Sequence, residues 1–257
     1  MRIAALYDIH GNLPALEAVL AEIFGQAGHG GVDRVVVGGD IVPGPMWREV
    51  LDRLLALPAP VDFIQGNCEV AVLGELAGRP TRLPEQAREA IRYTAQHITQ
   101  EEQRLLAQWP KTLRLRVEGV GDVLFCHGTP RHENEIFSRA TDERLLLPIF
   151  EPLNAAVVVC GHTHMHFDRL VGRTRVLNAG SVGMPFGVPG AYWLMLAPEP
   201  ALRRTQYDLG AAAARIRATR YPQAEDFASR SVLSPPSEQQ MLELFARAEL
   251  REGAAAA

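Results

Sequence analysis

The sequence predicts an α/β fold built around parallel strands. Three observations support this. Short apolar segments typical of buried strands alternate with segments of helical periodicity over the first 76 residues, the loops between them are short, and the first three strand segments end in glycine or polar residues. This order is typical of parallel strands joined by right-handed crossovers. With 257 residues, 47% of them hydrophobic, the chain can bury a full core.

The first unit is a strand over residues 3–7, followed by the sequence DIHG and by a helical segment that starts near Pro14. Ligands of open α/β sheets bind at the carboxyl ends of strands, so Asp8 and His10 are placed as a chelating pair. Alternatively, Asp8 caps the helix and His10 lies in an exposed loop.

The second and third units repeat this pattern, and a helix is predicted after each. An apolar run over residues 32–37 leads through two glycines to Asp40. A further run over residues 61–65 leads to Asn67 and Cys68 in the sequence GNCE. Asn67 suits a helix cap as well as a ligand.

Residues 78–110 interrupt the alternation of strand and helix segments and are predicted to form a helical insertion, with helical patterns over residues 84–97 and 99–109. The segments TLRLRVEG and GDVLFCHG that follow alternate in the manner of an antiparallel hairpin. The second strand of this hairpin ends at His127, which is a further candidate ligand.

A polar loop, TPRHENEIF, follows His127. Arg131 in this loop is a candidate substrate-binding residue because a guanidinium beside a metal site can hold phosphate in a bidentate way. His132 could reach the same pocket, although a solvated loop residue is the favoured interpretation. The chain then continues into a helix entered by a Thr141 cap.

The segment AAVVVCGHTHMH is the densest cluster of candidate ligands. A buried strand over residues 156–160 is followed by histidines at positions 162, 164 and 166. A single histidine beside an apolar run is usually a core or surface residue. Three in five residues are harder to explain by packing, because each buried imidazole needs hydrogen-bond partners. This cluster therefore indicates a metal site.

Beyond residue 166 the sequence predicts a hairpin ending at Asn178, a Gly/Pro-rich loop and two further antiparallel strands. A C-terminal helical extension is expected from about residue 209, with a turn over YPQAEDFA and a last helix from Glu238 to about Leu250. No internal repeat or linker is visible, so we expect one domain over residues 1–257.

Composition excludes several classes of protein. The formal net charge of -4 argues against a protein that coats nucleic acid or an anionic membrane. No apolar run reaches the length of about 18 residues that a membrane helix needs, and the N-terminus lacks a signal peptide's apolar core. An odd number of cysteines makes a disulfide framework unexpected, with Cys126 and Cys160 read as core residues. We therefore expect a cytoplasmic protein.

The candidate ligands that close the strand segments are Asp8, His10, Asp40, Asn67, His127, His162 and His164. Seven ligands are too many for one ion, but a carboxylate can bridge two cations about 3.5 to 4 Å apart. Imidazole, carboxylate and amide donors suit manganese, iron, zinc, cobalt or nickel better than calcium.

In the order DIHGN, GD, GNCE, HG and GHTH, these motifs resemble those of the calcineurin-like metallophosphoesterases over residues 8–183. Within that family the chain looks most like the small bacterial and archaeal phosphodiesterases. The resemblance implies a four-layer sandwich, in which two mixed sheets face each other, helices flank them and the metals lie at their edge. It also implies two divalent transition-metal ions, for which manganese is our first expectation.

The resemblance implies how the ligands are divided between the ions. One metal would be held by Asp8, His10, Asp40 and His164, and the other by Asp40, Asn67, His127 and His162. Asp40 would be the bridge. A metal-bridging hydroxide would then attack the phosphorus atom in line, with no covalent enzyme intermediate. His166 stays outside this ligand set.

The chain departs from the family pattern at Cys68. In many relatives a histidine follows the asparagine and is thought to help protonate the leaving oxygen. A thiol with a pKa near 8.5 is a poor general acid, so we expect a good leaving group or another proton donor such as His132. Together, Asp40, Asn67, Cys68 and Arg131 are the candidate catalytic residues.

Three functions are weighed on this basis. The first is a metal-dependent phosphoesterase that acts on a small phosphate ester, with diesters favoured over monoesters. The second is a phosphatase for dinucleotide polyphosphates or phosphoproteins. The third is a non-catalytic scaffold, as in the retromer subunit with this fold, which is disfavoured because all seven ligand positions are filled. The sequence leaves the natural substrate and the oligomeric state open.

Overall fold

A computed structural model describes residues 1–25, 31–79, 83–248 and 250. In chain order its strands are β1 (Ile3–Leu6), β2 (Arg34–Val37), β3 (Val61–Phe63), β4 (Thr112–Val117), β5 (Gly121–Cys126), β6 (Val157–Cys160), β7 (Phe167–Val171), β8 (Thr174–Asn178), β9 (Ala191–Leu196) and β10 (Ala201–Thr205). Its α-helices are α1 (Leu13–Phe24), α2 (Trp47–Leu55), α3 (Asn67–Leu76), α4 (Glu85–His97), α5 (Gln100–Gln108), α6 (Glu143–Phe150), α7 (Leu209–Arg217), α8 (Ala224–Phe227) and α9 (Glu238–Phe245). None of the helices in this described part combines the length and the hydropathy that crossing a bilayer requires.

The first sheet has the strand order β10-β9-β1-β2-β3. Strands β1, β2 and β3 are parallel, with Ile3 opposite Arg34 and Val35 opposite Val61. Strand β9 pairs antiparallel with β1, which makes the sheet mixed. The predicted strand–helix units are therefore confirmed, and the loops after β1, β2 and β3 emerge at one edge.

The second sheet has the strand order β4-β5-β6-β8-β7. Strands β5, β6 and β8 are parallel, whereas β4 and β7 pair antiparallel at the two edges. Both predicted hairpins are confirmed. In β4 the side chains alternate as the sequence indicates, with Arg114 and Arg116 exposed.

The two sheets pack face to face, and helices cover their outer faces. Alternate residues of the first sheet, such as Ala5 and Val36, join Phe125 and Val159 of the second sheet in one buried cluster. The opposite face of the first sheet packs in a single cluster with α1 and α2. Cys126 and Cys160 are buried on the outer face of the second sheet, in the cluster that includes Phe150 of α6. The architecture is thus the expected sandwich of two mixed sheets flanked by helices.

Helices α4 and α5 lie in the segment predicted as a helical insertion, of which residues 80–82 are outside the described part. Helix α5 begins with a capping box between Thr99 and Glu102. Arg48 of α2 binds both oxygens of Glu102 at 2.6 and 3.1 Å, and it also donates to the His97 carbonyl. These contacts join the segment to the first sheet's helical layer.

Three local predictions are corrected by the structure. The segment predicted as a turn forms α8 and continues as a π-helical stretch over Ala228–Leu233, because Phe227 and Val232 are buried in the core. Helix α6 is capped by Asp142, whose carboxylate accepts the Arg144 N–H, and not by Thr141. Helix α9 ends at Phe245 and not near Leu250; residue 249 in the predicted range is outside the described part.

Candidate metal centre

The carboxyl ends of strands from both sheets meet at one buried cluster. Asp8 and His10 follow β1, Asp40 follows β2, and Asn67 opens α3 after β3. His127 follows β5, while His162 and His164 follow β6. Six of these seven side chains are linked by distances below 4 Å between the nitrogen and oxygen atoms that could bind a metal. The ring centroid of His162 lies 5.2 Å from that of His127. The structure therefore brings all seven candidate ligands together.

Asp40 lies between the two groups of histidines. Its Oδ2 atom is 3.8 Å from His10 Nε2 and 3.5 Å from His127 Nε2. On the other side of the cluster, Asp8 Oδ1 is 3.4 Å from His164 Nε2 and 3.7 Å from His127 Nε2. Three overlapping groups have ligand atoms within 4.8 Å of one another, namely Asp8–His10–His164, His10–Asp40–Cys68 and Asp8–Asp40–His127. This overlap is what two neighbouring cation sites require.

The loops at the cluster have an unusual backbone. Among the described non-glycine residues, six have a positive φ, and five of these are candidate ligands: Asp8 (53°), His10 (45°), Asp40 (55°), His162 (66°) and His164 (56°). Left-handed conformations cost L-residues about 1–2 kcal/mol each, and strained residues of this kind concentrate at functional sites. The local sequence carries only a weak signal for this backbone conformation, which is that Asp and His tolerate it better than most residues.

The ring orientation of two histidines is set by main-chain carbonyls. His127 Nδ1 lies 2.8 Å from Gly38 O, and His164 Nδ1 lies 2.7 Å from Met184 O. A carbonyl only accepts, so each Nδ1 carries the hydrogen and each Nε2 faces the cluster. Such partners are typical of metal-binding histidines, because they fix both the tautomer and the ring plane.

The charges in the cluster are strongly coupled. Although burial disfavours a charged imidazole, the carboxylates of Asp40 and Asp8 raise the pKa of His127 to about 10. Burial, together with the positive charge of His127, lowers the pKa of His162 to about 4. Burial likewise lowers the pKa of His10 to about 4. The buried carboxylates thus create a field that attracts cations, while two histidines are held neutral.

Two buried atoms of the cluster lack a hydrogen-bond partner within the described part of the chain. They are Asp8 Oδ1 and His162 Nε2. A buried polar atom without a partner costs about 1–3 kcal/mol, and each such atom in a native structure calls for an explanation. A divalent cation accepts electron pairs from both a carboxylate and a neutral imidazole. The donors present therefore fit transition-metal ions.

Glu69 supports the cluster although it is outside the predicted set of ligands and catalytic residues. Its fully buried carboxylate accepts from the main-chain N–H groups of Asp40 and Gly66 at 2.8 Å and of Ile41 at 2.9 Å. Burial and the charge of Asp40 raise the pKa of Glu69 to about 7. The sequence signal that could have identified it is its place three residues after Gly66, which is the spacing of a capping box.

A second support joins the two sheets. The Ser181 hydroxyl donates to the Asp8 carbonyl at 2.7 Å and accepts from Met184 N at 2.7 Å. Asn12 donates to Gly183 O at 2.9 Å, and its carbonyl oxygen accepts from Ala15 N to cap α1. Asn12, and not Asp8, is therefore the helix cap. Neither Ser181 nor Asn12 was identified from the sequence, because the bonds that join the two sheets, from Ser181 to Asp8 and from Asn12 to Gly183, link residues more than 150 positions apart.

The remaining candidates are placed as follows. Cys68 lies beside Asp40, whose carboxylate accepts its main-chain N–H at 2.9 Å. Burial and the charge of Asp40 raise the pKa of the Cys68 thiol well above its usual range. The structure does not join Arg131 to the cluster: its guanidinium binds Glu135 at 2.7 Å. His132 lines a cavity together with Cys68.

His166 lies outside the ligand set, as expected. Its Nε2 atom is 2.7 Å from the Ala179 carbonyl, and its ring packs edge-on against Tyr192. Burial lowers the pKa of His166 to about 4. The imidazole is thus a neutral packing group with a satisfied hydrogen bond.

Comparison with known proteins agrees with this geometry. The model of the calcineurin-like phosphoesterase superfamily domain matches residues 1–197. The chain is similar to a hypothetical protein from Pyrococcus horikoshii, with 19% identity, coverage of 92% of this chain and 99% of the other, and a TM-score of 0.76. It is also similar to a metallophosphoesterase from Sphaerobacter thermophilus, with 27% identity, 89% and 97% coverage and a TM-score of 0.66. No curated protein matches the chain.

Proposed function

The chain belongs to the calcineurin-like phosphoesterase superfamily, and from this premise we propose that it hydrolyses phosphate esters, diesters in preference to monoesters, at a site for two divalent transition-metal ions. The observation that carries the proposal is the position of Asp40, whose Oδ2 atom faces both His10 and His127. These two histidines belong to the two expected ligand sets. One carboxylate can therefore be shared between two ions.

The donors would be used in the two expected sets, with manganese as the first candidate. One set is Asp8, His10, Asp40 and His164, and the other is Asp40, Asn67, His127 and His162. When bound, the ions supply a hydroxide nucleophile near neutral pH and offset the charge of the phosphate. The chain's own contribution is to hold His127 and His164 in fixed orientations through the Gly38 and Met184 carbonyls.

Protonation of the leaving oxygen needs a general acid, and the side chain at the expected position is a weak one. Cys68 replaces the histidine expected at its position, and a thiol is a poor general acid. His132 lines the same cavity as Cys68 and is the other candidate donor. We propose a substrate with a good leaving group, or proton donation by His132.

The partner in this proposal is a small phosphate ester. The net charge of -4 supports neither nucleic acid nor an anionic membrane as the main partner. A cytoplasmic location belongs to the same proposal, and the free state of Cys68, Cys126 and Cys160 supports it.

The test uses the protein purified with manganese, with bis-p-nitrophenyl phosphate as substrate. Asp40→Asn and His162→Ala are each expected to lower turnover by roughly 10²-fold or more, because each removes a ligand, and to lower the metal content measured by elemental analysis. His97→Ala is the matched control, since the exposed His97 ring packs on Tyr93 and not in the cluster.

Full turnover by Asp40→Asn or His162→Ala would contradict the proposed function. If the protein bound no metal and hydrolysed no phosphate ester in a screen of divalent metals, the result would favour the non-catalytic scaffold.

A further inference from the structure

Two cavities adjoin the candidate metal centre, with volumes of about 270 and 400 Å³. They share four lining residues, which are Pro43, Cys68, Ala87 and Ala90. Asn67 lines the smaller cavity and His10 lines the larger one. Each cavity therefore reaches a different candidate ligand. Ala87 and Ala90 of α4 lie where the two cavities adjoin.

The smaller cavity, here called the apolar lobe, lies between α3 and α4. Its apolar wall consists of Val70, Ala71, Leu83, Ala90 and Ile91. Its charged lining residue among those described is Glu133, whose carboxylate already binds Lys111 Nζ at 2.9 Å. A wall of this kind stabilises an uncharged organic group by removing apolar surface from water.

The larger cavity, here called the aromatic lobe, is lined in part by residues from the C-terminal part of the chain. Tyr221 and Phe227 are 7% and 5% exposed and line it together with Met184. Its charged lining residue in the described part is Asp226, which accepts from Gln86 Nε2 at 3.2 Å. The aromatic lobe is likewise suited to an uncharged group, and its Gln and Ser residues add hydrogen-bonding capacity.

The charge of the described lining residues favours one substrate class over another. Among the described residues, no lysine or arginine lines either lobe. A dinucleotide polyphosphate or a phosphopeptide carries further negative charge, and the described lining of the two lobes offers no lysine or arginine to pair with that charge. The volume of the apolar lobe exceeds the roughly 150 Å³ of an engineered cavity that holds benzene, so a substituted ring fits.

We propose that the substrate is a phosphodiester with two uncharged organic substituents, one in each lobe, and with its phosphate at the metal centre. This inference rests on the proposed function. Hydrolysis forms a bond between phosphorus and a water oxygen and breaks the bond to one substituent, which leaves as an alcohol or phenol with a proton from water. A monoester fills one lobe only and gains less from burial.

The test compares two unreactive anions on the manganese-loaded protein by isothermal titration calorimetry. Diphenylphosphinate and dimethylphosphinate carry the same charge on the same head group and differ only in the two substituents. We expect diphenylphosphinate to bind roughly tenfold or more tightly, because its rings bury apolar surface in both lobes.

A variant links this difference to the lobes. Ala87 is exposed on α4 and lines both lobes, so the larger side chain of Ala87→Phe takes up space where the two lobes adjoin. We expect this variant to lose most of the preference for diphenylphosphinate. Gln96→Phe is the matched control, because Gln96 is exposed on the same helix and lines neither lobe. The control is expected to keep the full preference.

The outcomes separate the inference from the proposed function. Equal binding of the two phosphinates, or faster hydrolysis of diadenosine tetraphosphate than of bis-p-nitrophenyl phosphate, would overturn the inference and leave a phosphoesterase. An unchanged preference in Ala87→Phe would also overturn the placement in the lobes. If the preference were present and lost in Ala87→Phe, but no phosphate ester were hydrolysed with any metal, the proposed function would fail and the two-lobed binding site would stand.

Discussion

The carboxylate of Glu69 accepts a hydrogen bond from the main-chain N–H of Asp40 at 2.8 Å. The same carboxylate accepts from Gly66, at the end of the neighbouring strand unit. One buried side chain thus holds together the two loops that carry Asp40 and Asn67. The candidate bridging ligand therefore depends on a residue that is not itself in the ligand set.

Replacing Glu69 is expected to weaken both the fold and the metal site. In Glu69→Gln one carboxylate oxygen becomes an NH₂ group that faces main-chain N–H donors, so at least two hydrogen bonds are lost. We expect a loss of about 2–4 kcal/mol in the free energy of unfolding, measured by urea denaturation, and weaker manganese binding, measured by calorimetry.

Glu75→Gln is the matched control for Glu69→Gln. Glu75 is on the same helix, and its ion pair with Arg92 is long, at 3.8 Å, and partly exposed. We expect this control to change stability by less than about 0.5 kcal/mol. Equal stability and manganese affinity in Glu69→Gln and the control would show that Glu69 does not hold the two loops.

Cys68 offers a test of leaving-group protonation. Cys68 lines both lobes, so a larger side chain has space beside Asp40 and His10. We expect Cys68→His to raise turnover of diphenyl phosphate, which has a poor leaving group, by roughly tenfold or more, because a positioned imidazole can act as a general acid. Turnover of bis-p-nitrophenyl phosphate is expected to change much less, since p-nitrophenolate leaves without protonation.

Steady-state rates for the two substrates provide the measurement. Cys68→Ser is the control, because a hydroxyl is no better a general acid than the thiol. If Cys68→His changed both rates by the same factor, the residue at position 68 would not act on protonation of the leaving group. Loss of the gain when His132→Ala is added would instead indicate that both residues act in the same step.

The contact between Arg48 and Glu102 predicts a pH-dependent contribution to stability. Partial burial opposes ionisation, but the hydrogen bonds from Arg48 and Thr99 N outweigh it and lower the pKa of Glu102 below its ordinary value. A lowered folded-state pKa contributes stability that is fully present above the unfolded pKa and is lost as pH falls through the folded one. We expect Glu102→Gln to cost about 1 kcal/mol at pH 7, since Arg48 is partly exposed and screened, and clearly less near pH 3.

Thermal melting of both proteins at pH 7 and near pH 3 measures this difference. The neighbouring Glu101, which is exposed, serves as control in Glu101→Gln. A Glu102→Gln effect that stays constant between the two pH values would mean that the capping geometry, and not the charge, contributes the stability.

Much of the fold could be predicted from local patterns. Apolar runs predicted the strands. The polar residues after β1 and β2, and likewise those after β5 and β6, lie at one edge of their own sheet because parallel strands share that edge. That the two edges meet at one cluster depends on how the two sheets pack. The parts that failed depend on distant contacts. Residues 221–228 carry turn-forming types, yet Phe227 is buried in the core and the chain is helical from Ala224 onward.

The sequence by itself determined the order of strands and helices and the residue types at each strand end, because hydrophobic periodicity and turn chemistry act over a few residues. Only the tertiary structure decided how those ends are held. The support of Asp40 by Glu69, the link from Ser181 to Asp8 and the pairing of Arg131 with Glu135 each depend on which loops come together. The left-handed backbone at five candidate ligands has the same origin, since packing between two sheets can maintain strain that a short segment alone would relax.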